Sequence, residues 1–312
     1  MPYQLSEINR RASQEPARFL QECDEQFRAK VSRAADRIIE NRKYSPIVLL
    51  SGPSGSGKTT TAMKIEEELN RRGIRTHSIA MDNYFRSRDS FTVPLTPDGN
   101  PDLESPQCLD MELLNEHFTL LTQGKRIFVP KFEFSRQMRI LDPSKSLRLG
   151  PDDVAIFEGI HALNDEITQA HPEAFKLYIS ARSNILDDAG QVVFKGTWIR
   201  LVRRTVRDHL FRGADPAATM KMWANVRRGE KAYISPFKDK ANLQFDSALP
   251  YEIPVLNNTA IVLFSTIPEG AERFEELKRV LPALELFTDI DPALVAPDSL
   301  IREFMGGGIY DA

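Results

Sequence analysis

A short apolar run, Ile47-Val48-Leu49-Leu50, ends at Ser51 and leads into Gly52-Pro53-Ser54-Gly55-Ser56-Gly57-Lys58-Thr59. Nothing else in the sequence restricts the fold so tightly. The eight residues fit G-x-x-x-x-G-K-[ST], and a helix-favouring stretch follows from Lys58 to Arg72, stopped by Gly73. Strand, glycine-rich turn and helix together are the context that gives this spacing its meaning. Glycines let backbone N–H groups turn inward on an anion, and the helix N-terminus adds partial positive charge. Gly52, Ser54, Gly55, Ser56, Gly57, Lys58, Thr59 and Thr60 are therefore expected to bind ATP. Lys58 should reach the β- and γ-phosphates, and the Thr59 hydroxyl should bind Mg²⁺. The bland alternative is a Gly/Ser-rich turn before a helix, and the complete motif in context outweighs it.

Further apolar runs at 76–81, 127–129, 154–157, 177–179 and 261–264 read as strands separated by helical patterns. Such alternation predicts an α/β fold, a mostly parallel sheet with helices on both faces, as in P-loop NTPases. Phe19, Cys23, Phe27, Val31, Ala34, Ala35 and Ile38 recur at helical steps, so 1–45 is expected to be an N-terminal helical segment. A P-loop domain should span 46–266, with an arginine-rich lid at about 197–230. A helical tail over 267–312 should open with a capping box at Thr266-Ile267-Pro268-Glu269. Residues 86–107 read as a long loop of the kind that is often functional, and 183–196 as a short hairpin.

The chain has 312 residues and a net charge of −3, so no global field recruits nucleic acid or an acidic membrane. No apolar run is long enough to span a bilayer, and charged residues occupy the N-terminus where a signal peptide would need an apolar run. A cytoplasmic location is expected. Cys23 and Cys108 lie far apart in sequence and read as reduced thiols.

A phosphate loop fixes the nucleotide, not the reaction; GTPases, motors and switches use it too. Two acids bear on the reaction. Asp82 follows the 76–81 strand, at the edge of an open sheet where ligands bind. A carboxylate there can take a proton from an acceptor hydroxyl while sitting near Mg²⁺, although a strand-end Asp can also simply cap a turn. Glu158 ends the 154–157 run and fits a second, metal-linked carboxylate; its alternative is a helix cap. His161 reads as a local hydrogen-bond partner. The metal set is then Thr59, Asp82 and Glu158.

Arg200, Arg203, Arg204, Arg207 and Arg212 crowd one predicted helix, RLVRRTVRDHLFRG, with Arg200, Arg204 and Arg207 on one face and Leu201, Val206 and Leu210 turned to the protein. Guanidinium groups grip phosphate with a planar fork, so such a helix can close over ATP, although a solvated charged face is the simpler reading of composition alone. Lys58 and Asp82 are the candidate catalytic groups on this reading. Arg227 and Arg228 are candidates for the closing surface or the acceptor site.

GPSGSGKTT, MDNYF, DLESPQCLD, VPKFEF, AIFEGIHAL and RLVRRTVRDHLFRG come in the order and approximate spacing of the uridine kinase and phosphoribulokinase family, from about residue 46 to 213. The following WANVRRGEKAYISPFKDKANLQFDSALPYEIPVL and the SLIREFMGGG segment resemble a bacterial subfamily of uridine kinase-like nucleoside kinases, whose members often carry an N-terminal TGS-type segment that is missing or reduced here. The resemblance implies that Asp82 orients or deprotonates a sugar 5′-hydroxyl. It makes Glu158 the Mg²⁺-linked acid, and Arg204, Arg207 and Arg212 lid and acceptor-site groups, which implies a catalytic set of Asp82, Lys58, Arg207 and Arg212 with Arg204 among the ATP contacts. Glu104 falls where an Asp holds the ribose 2′- and 3′-hydroxyls. Tyr84, Phe132, Phe134, Gln137 and Arg207 complete the expected acceptor site, with ATP and Mg²⁺ as the required small molecules. Phe132 and Gln137 replace the family's pyrimidine-reading Tyr and His, and Ala214 stands in place of an arginine.

Three functions remain open on this reading: a nucleoside 5′-kinase, a kinase of another hydroxylated metabolite such as a sugar phosphate or a pantothenate-like acid, and an ATP-dependent regulatory module. Asp82 weighs against the last, because a switch needs no acceptor base. No nucleic-acid or membrane partner is expected, and self-association is left open.

Overall fold

The computed structural model describes residues 2–140 and 145–310. Two helices, α1 (Leu5–Gln14) and α2 (Pro16–Asn41), precede strand β1 (Ile47–Ser51), helix α3 (Lys58–Arg71) and β2 (Arg75–Ala80). After the loop segment come α4 (Met111–Thr122), β3 (Asp153–Glu158), β4 (Phe175–Ser180), α5 (Gly196–Arg212), α6 (Pro216–Gly229), β5 (Leu243–Asp246), α7 (Glu252–Ser265) and α8 (Phe274–Leu284). Among the described residues the main sheet has the order β5-β4-β1-β3-β2 and every pairing is parallel.

Side chains alternate across a strand, so β1 serves two cores. Ile47 and Leu49 pack with Phe118 of α4, Phe157 and Ile79 on one face. Val48 and Leu50 pack on the other with Ile65 of α3, Val202 of α5 and Phe264 of α7. The apolar stripe of α2, Phe19 through Ile38, belongs to this second cluster, together with Leu300, Ile301 and Val295 beyond α8. Residues from both ends of the described chain thus share one core with the phosphate-loop strand.

Several local expectations need correction. Residues 261–264 lie inside α7, not in a strand: Leu263 and Phe264 are buried while Val262 is 65% exposed, and a short apolar run does not by itself tell a helix from a strand. Thr266 starts no helix; its hydroxyl donates back to the Leu263 carbonyl at 2.7 Å at the end of α7, and α8 begins only at Phe274. Ile127–Phe128 pairs with Ser146–Leu147 outside the main sheet. The hairpin is present, Ile185–Leu186 against Val192–Phe194, and Tyr3–Gln4 adds to its edge. Cys23 and Cys108 are buried and free. No helix is long and apolar enough to cross a membrane among the described residues.

Candidate active site

Register brings the carboxyl ends of three strands together. Glu158 pairs with Leu50 on one side and Ala80 on the other. The phosphate loop leaves β1 one residue past Leu50, and Met81-Asp82 leaves β2 directly after Ala80. Lys58, Glu158 and Asp82 therefore converge at one sheet edge.

The loop is held by close backbone approaches. A Cβ on Gly52 would lie 2.0 Å from the Ile179 carbonyl oxygen, so only glycine fits there. Gly55 and Gly57 have φ of 73° and 74°, conformations that other residues resist. Lys58 Nζ lies 3.8 Å from Glu158 Oε1. Burial pushes the Glu158 carboxyl above its usual range; Lys58 opposes this, while Asp82 and Glu303 add to it. Asp82 opens to solvent at the mouth of the cleft, yet the protein around it raises its carboxyl pKa, with Lys58 pulling it back. His161 is buried and driven to a pKa of about 4, so it stays neutral as a structural group.

The arginine helix divides its labour. Arg200 and Arg203 point inward. Arg200 pairs with Glu230 at 2.6 Å and donates to the Ser54 carbonyl at 3.2 Å. Arg203 holds Glu252 and donates to the carbonyls of Gly55 at 3.3 Å and Ser247 at 3.0 Å. These two brace the phosphate loop from behind, so Arg200 is a structural cation, not the outward phosphate ligand its helical spacing suggested. Leu210 is 48% exposed and does not face the protein. Arg204, Arg207 and Arg212 gather around one carboxylate instead. Arg204 Nη1 donates to Ser54 Oγ at 2.7 Å. All three surround Asp208, at 3.2, 2.8 and 3.3 Å, and Asp208 is 2% exposed. Sequence spacing did not single out this anchor.

Of the residues expected to bind the acceptor, Tyr84 is a correction. It is fully buried, its hydroxyl bonded to His117 Nδ1 at 2.8 Å, so it packs the core and cannot stack on a ligand. Phe85, Phe132 and Phe134 do cluster, with ring centroids 5.1–6.1 Å apart. They line a cavity of about 370 Å³ with Phe91, Leu103 and Gln137. Asn83 Oδ1 accepts from the Phe132 backbone, tying the phenylalanine hairpin to the turn that carries Asp82. The Gln137 side-chain carbonyl already accepts from Arg88 at 2.8 Å. Glu104 lies within electrostatic reach of Arg204, Lys58 and Arg228, and burial raises its carboxyl pKa. Its neighbour Asp102 is locked by Arg228 at 2.6 Å and by the Tyr233 hydroxyl at 2.9 Å.

The model of the phosphoribulokinase/uridine kinase family matches residues 47–253. The chain belongs to that family. Curated relatives include a uridine kinase of Deinococcus deserti, 27% identical over 63% of this chain and 85% of the relative, and one of Halobacterium salinarum, 29% identical over 62% and 76%. Among solved structures, a protein described as a possible uridine kinase from Bacillus stearothermophilus aligns with a TM-score of 0.46 at 16% identity, over 71% of this chain and all of the other.

Family membership makes the chain an ATP-dependent kinase, and kinases of this kind use ATP with a divalent cation. No cage of three or more His, Cys, Asp or Glu side chains occurs among the described residues. Mg²⁺ asks for none; it takes one or two carboxylates and fills its shell with phosphate oxygens and water. Asp82 and Glu158, close enough to couple electrostatically and next to the start of α3 where Thr59 lies, fit that donor set.

Proposed function

We propose that the chain transfers the γ-phosphoryl group of ATP to the 5′-hydroxyl of a nucleoside. The observation that carries this reading is Asp82, a carboxylate at the sheet's ligand edge, coupled to Lys58 and tied through Asn83 to a phenylalanine-lined cavity. Lys58 and the loop backbone would hold the phosphates, with Thr59, Asp82 and Glu158 holding the cation. When bound, Mg²⁺ neutralises charge on the β- and γ-oxygens. Asp82 would accept the proton of the attacking hydroxyl, and its raised pKa brings it toward the strength a general base needs. Arg204, Arg207 and Arg212 would face charge on the transferring group. Glu104 would hold the ribose hydroxyls, and Phe132 and Phe134 would offer a flat apolar surface to the base.

The uridine kinases among the relatives make uridine the leading acceptor. The cavity supports a relaxed base preference, since Phe85, Phe91, Phe132 and Phe134 supply flat apolar wall and the Gln137 carbonyl is engaged by Arg88. Arg86 and Arg88 on the same cavity favour a second reading, an anionic hydroxylated metabolite such as a sugar phosphate. An ATP-consumption panel over ribonucleosides, deoxyribonucleosides, sugar phosphates and no acceptor separates these. Ribonucleosides should be preferred. Turnover only with sugar phosphates would overturn the nucleoside assignment, equal use of deoxyribonucleosides would remove Glu104 from its role, and strict use of uridine and cytidine would end the relaxed-base idea. Turnover without any acceptor would favour the regulatory reading.

A further inference from the structure

The anion site at the start of α3 is already filled. Glu303 Oε2 accepts from the Thr60 hydroxyl at 2.7 Å and lies 3.2 Å from the Thr60 backbone nitrogen, which also donates to it. These donors belong to the first turn of the phosphate-loop helix, where loop and helix N–H groups meet nucleotide phosphates. A carboxylate accepting a backbone N–H and a hydroxyl there satisfies donors that a phosphate oxygen would otherwise satisfy.

The contact is part of a strap. Leu300 covers Gly57 so closely that a Cβ there would lie 2.8 Å from Leu300 Cδ1. Asp298 pairs with Lys64, one turn further along α3, at 3.2 Å. Tyr310 donates to Glu67 at 2.6 Å. Phe304 is fully buried with the Arg203 guanidinium 5.0 Å from its ring centre. Leu300, Ile301 and Phe304 thus anchor the segment while Glu303, only partly buried, reaches into the mouth of the site. Glu303 also lies within electrostatic reach of Arg212 and Glu158. One carboxylate therefore touches the phosphate donors and sits near both a lid arginine and the metal-linked acid.

From this geometry we infer that Glu303 is an intrasteric competitor of the nucleotide, an internal phosphate mimic that ATP must displace before it can seat on Thr60. The inference rests on the nucleotide reading of the phosphate loop. Rotation about the side-chain torsions of Glu303 is enough to vacate the donors, so the apolar anchors can stay in place. The measured ATP affinity is then the intrinsic affinity reduced by the fraction of molecules in which Glu303 is withdrawn.

The test is the dissociation constant of ATP and of inorganic triphosphate for the wild-type protein, Glu303→Ala and Glu303→Gln. Glu303→Ala should bind both about tenfold more tightly, the scale of losing one charge-assisted competitor. Glu303→Gln should fall between, because its amide oxygen can still accept from Thr60 without the charge. Unchanged or weaker binding in both variants overturns the inference and would make Glu303 inert or a positive contributor to the nucleotide site. A Lys58→Ala control separates the layers: if wild type, Glu303→Ala and Lys58→Ala all fail to bind ATP, the nucleotide site itself is wrong and the competitor falls with it.

Discussion

Arg204 reaches from the arginine helix to the Ser54 hydroxyl, 2.7 Å away, and so ties that helix to the phosphate loop. The two residues are 150 positions apart in sequence. Ser54→Ala removes this bond but leaves the guanidinium, whereas Arg204→Ala removes both. If the guanidinium serves the transferring phosphate, kcat should fall steeply in Arg204→Ala, on the order of 10²-fold or more, and by less than about fivefold in Ser54→Ala. Equal losses in the two variants would reduce Arg204 to a loop clamp.

Asp82→Asn should lower kcat by about 10²- to 10⁴-fold with little change in ATP affinity. It should also raise the melting temperature at neutral pH. The sign follows from linkage: a carboxyl whose folded pKa lies above its unfolded value opposes folding once it is ionised, and a neutral amide avoids that. In the wild-type enzyme the acid limb of the kcat profile should sit above the ordinary aspartate range near pH 4. A drop in kcat of less than about threefold would return Asp82 to a turn-capping role.

Arg203→Ala should be a stability variant. It leaves Glu252 fully buried without its partner and releases the carbonyls of Gly55 and Ser247. Removing one member of a buried pair costs about 3–5 kcal/mol, to be read from urea unfolding. Replacing Arg203 and Glu252 together by apolar residues should cost less than the single change, because no uncompensated charge remains.

Asp208→Asn tests the anchor of Arg204, Arg207 and Arg212. Loss of its charge leaves Arg204, Arg207 and Arg212 to repel one another and drift, and displacement of about 1 Å can cost 10²-fold in rate. The fall should appear in kcat more than in KM for ATP. Added sulfate should restore the variant's melting temperature more than it changes that of the wild type. An unaltered rate would show that the arginines hold their positions without Asp208.

What the sequence made legible was local. The phosphate loop, the strand before it and the arginine helix are each written in contiguous spacing, and each stands in the structure where it was read. The strand Leu243–Asp246 escaped notice because its polar Gln244 and Asp246 alternate with Leu243 and Phe245 on a sheet edge, giving no apolar run. Residues 261–264 misled for the opposite reason: an exposed apolar Val262 completes a run that only Leu263 and Phe264 bury. Tyr84 carries the same sequence context as Phe85, and only packing against His117 and Phe157 turns it inward. Glu303 meets Thr60 across 243 positions, a separation at which spacing carries no signal.

The alternating side chains of β1 have a consequence for how this enzyme can diversify. Phe85, Phe118 and the turn that carries Asp82 rest on the layer of Ile47 and Leu49, while α3, α5, α7 and the strap rest on the layer of Val48 and Leu50. The two apolar layers lie on opposite faces of β1. Drift in the acceptor half can therefore proceed by repacking one side of a shared partition, leaving the phosphoryl donor half its inherited shape.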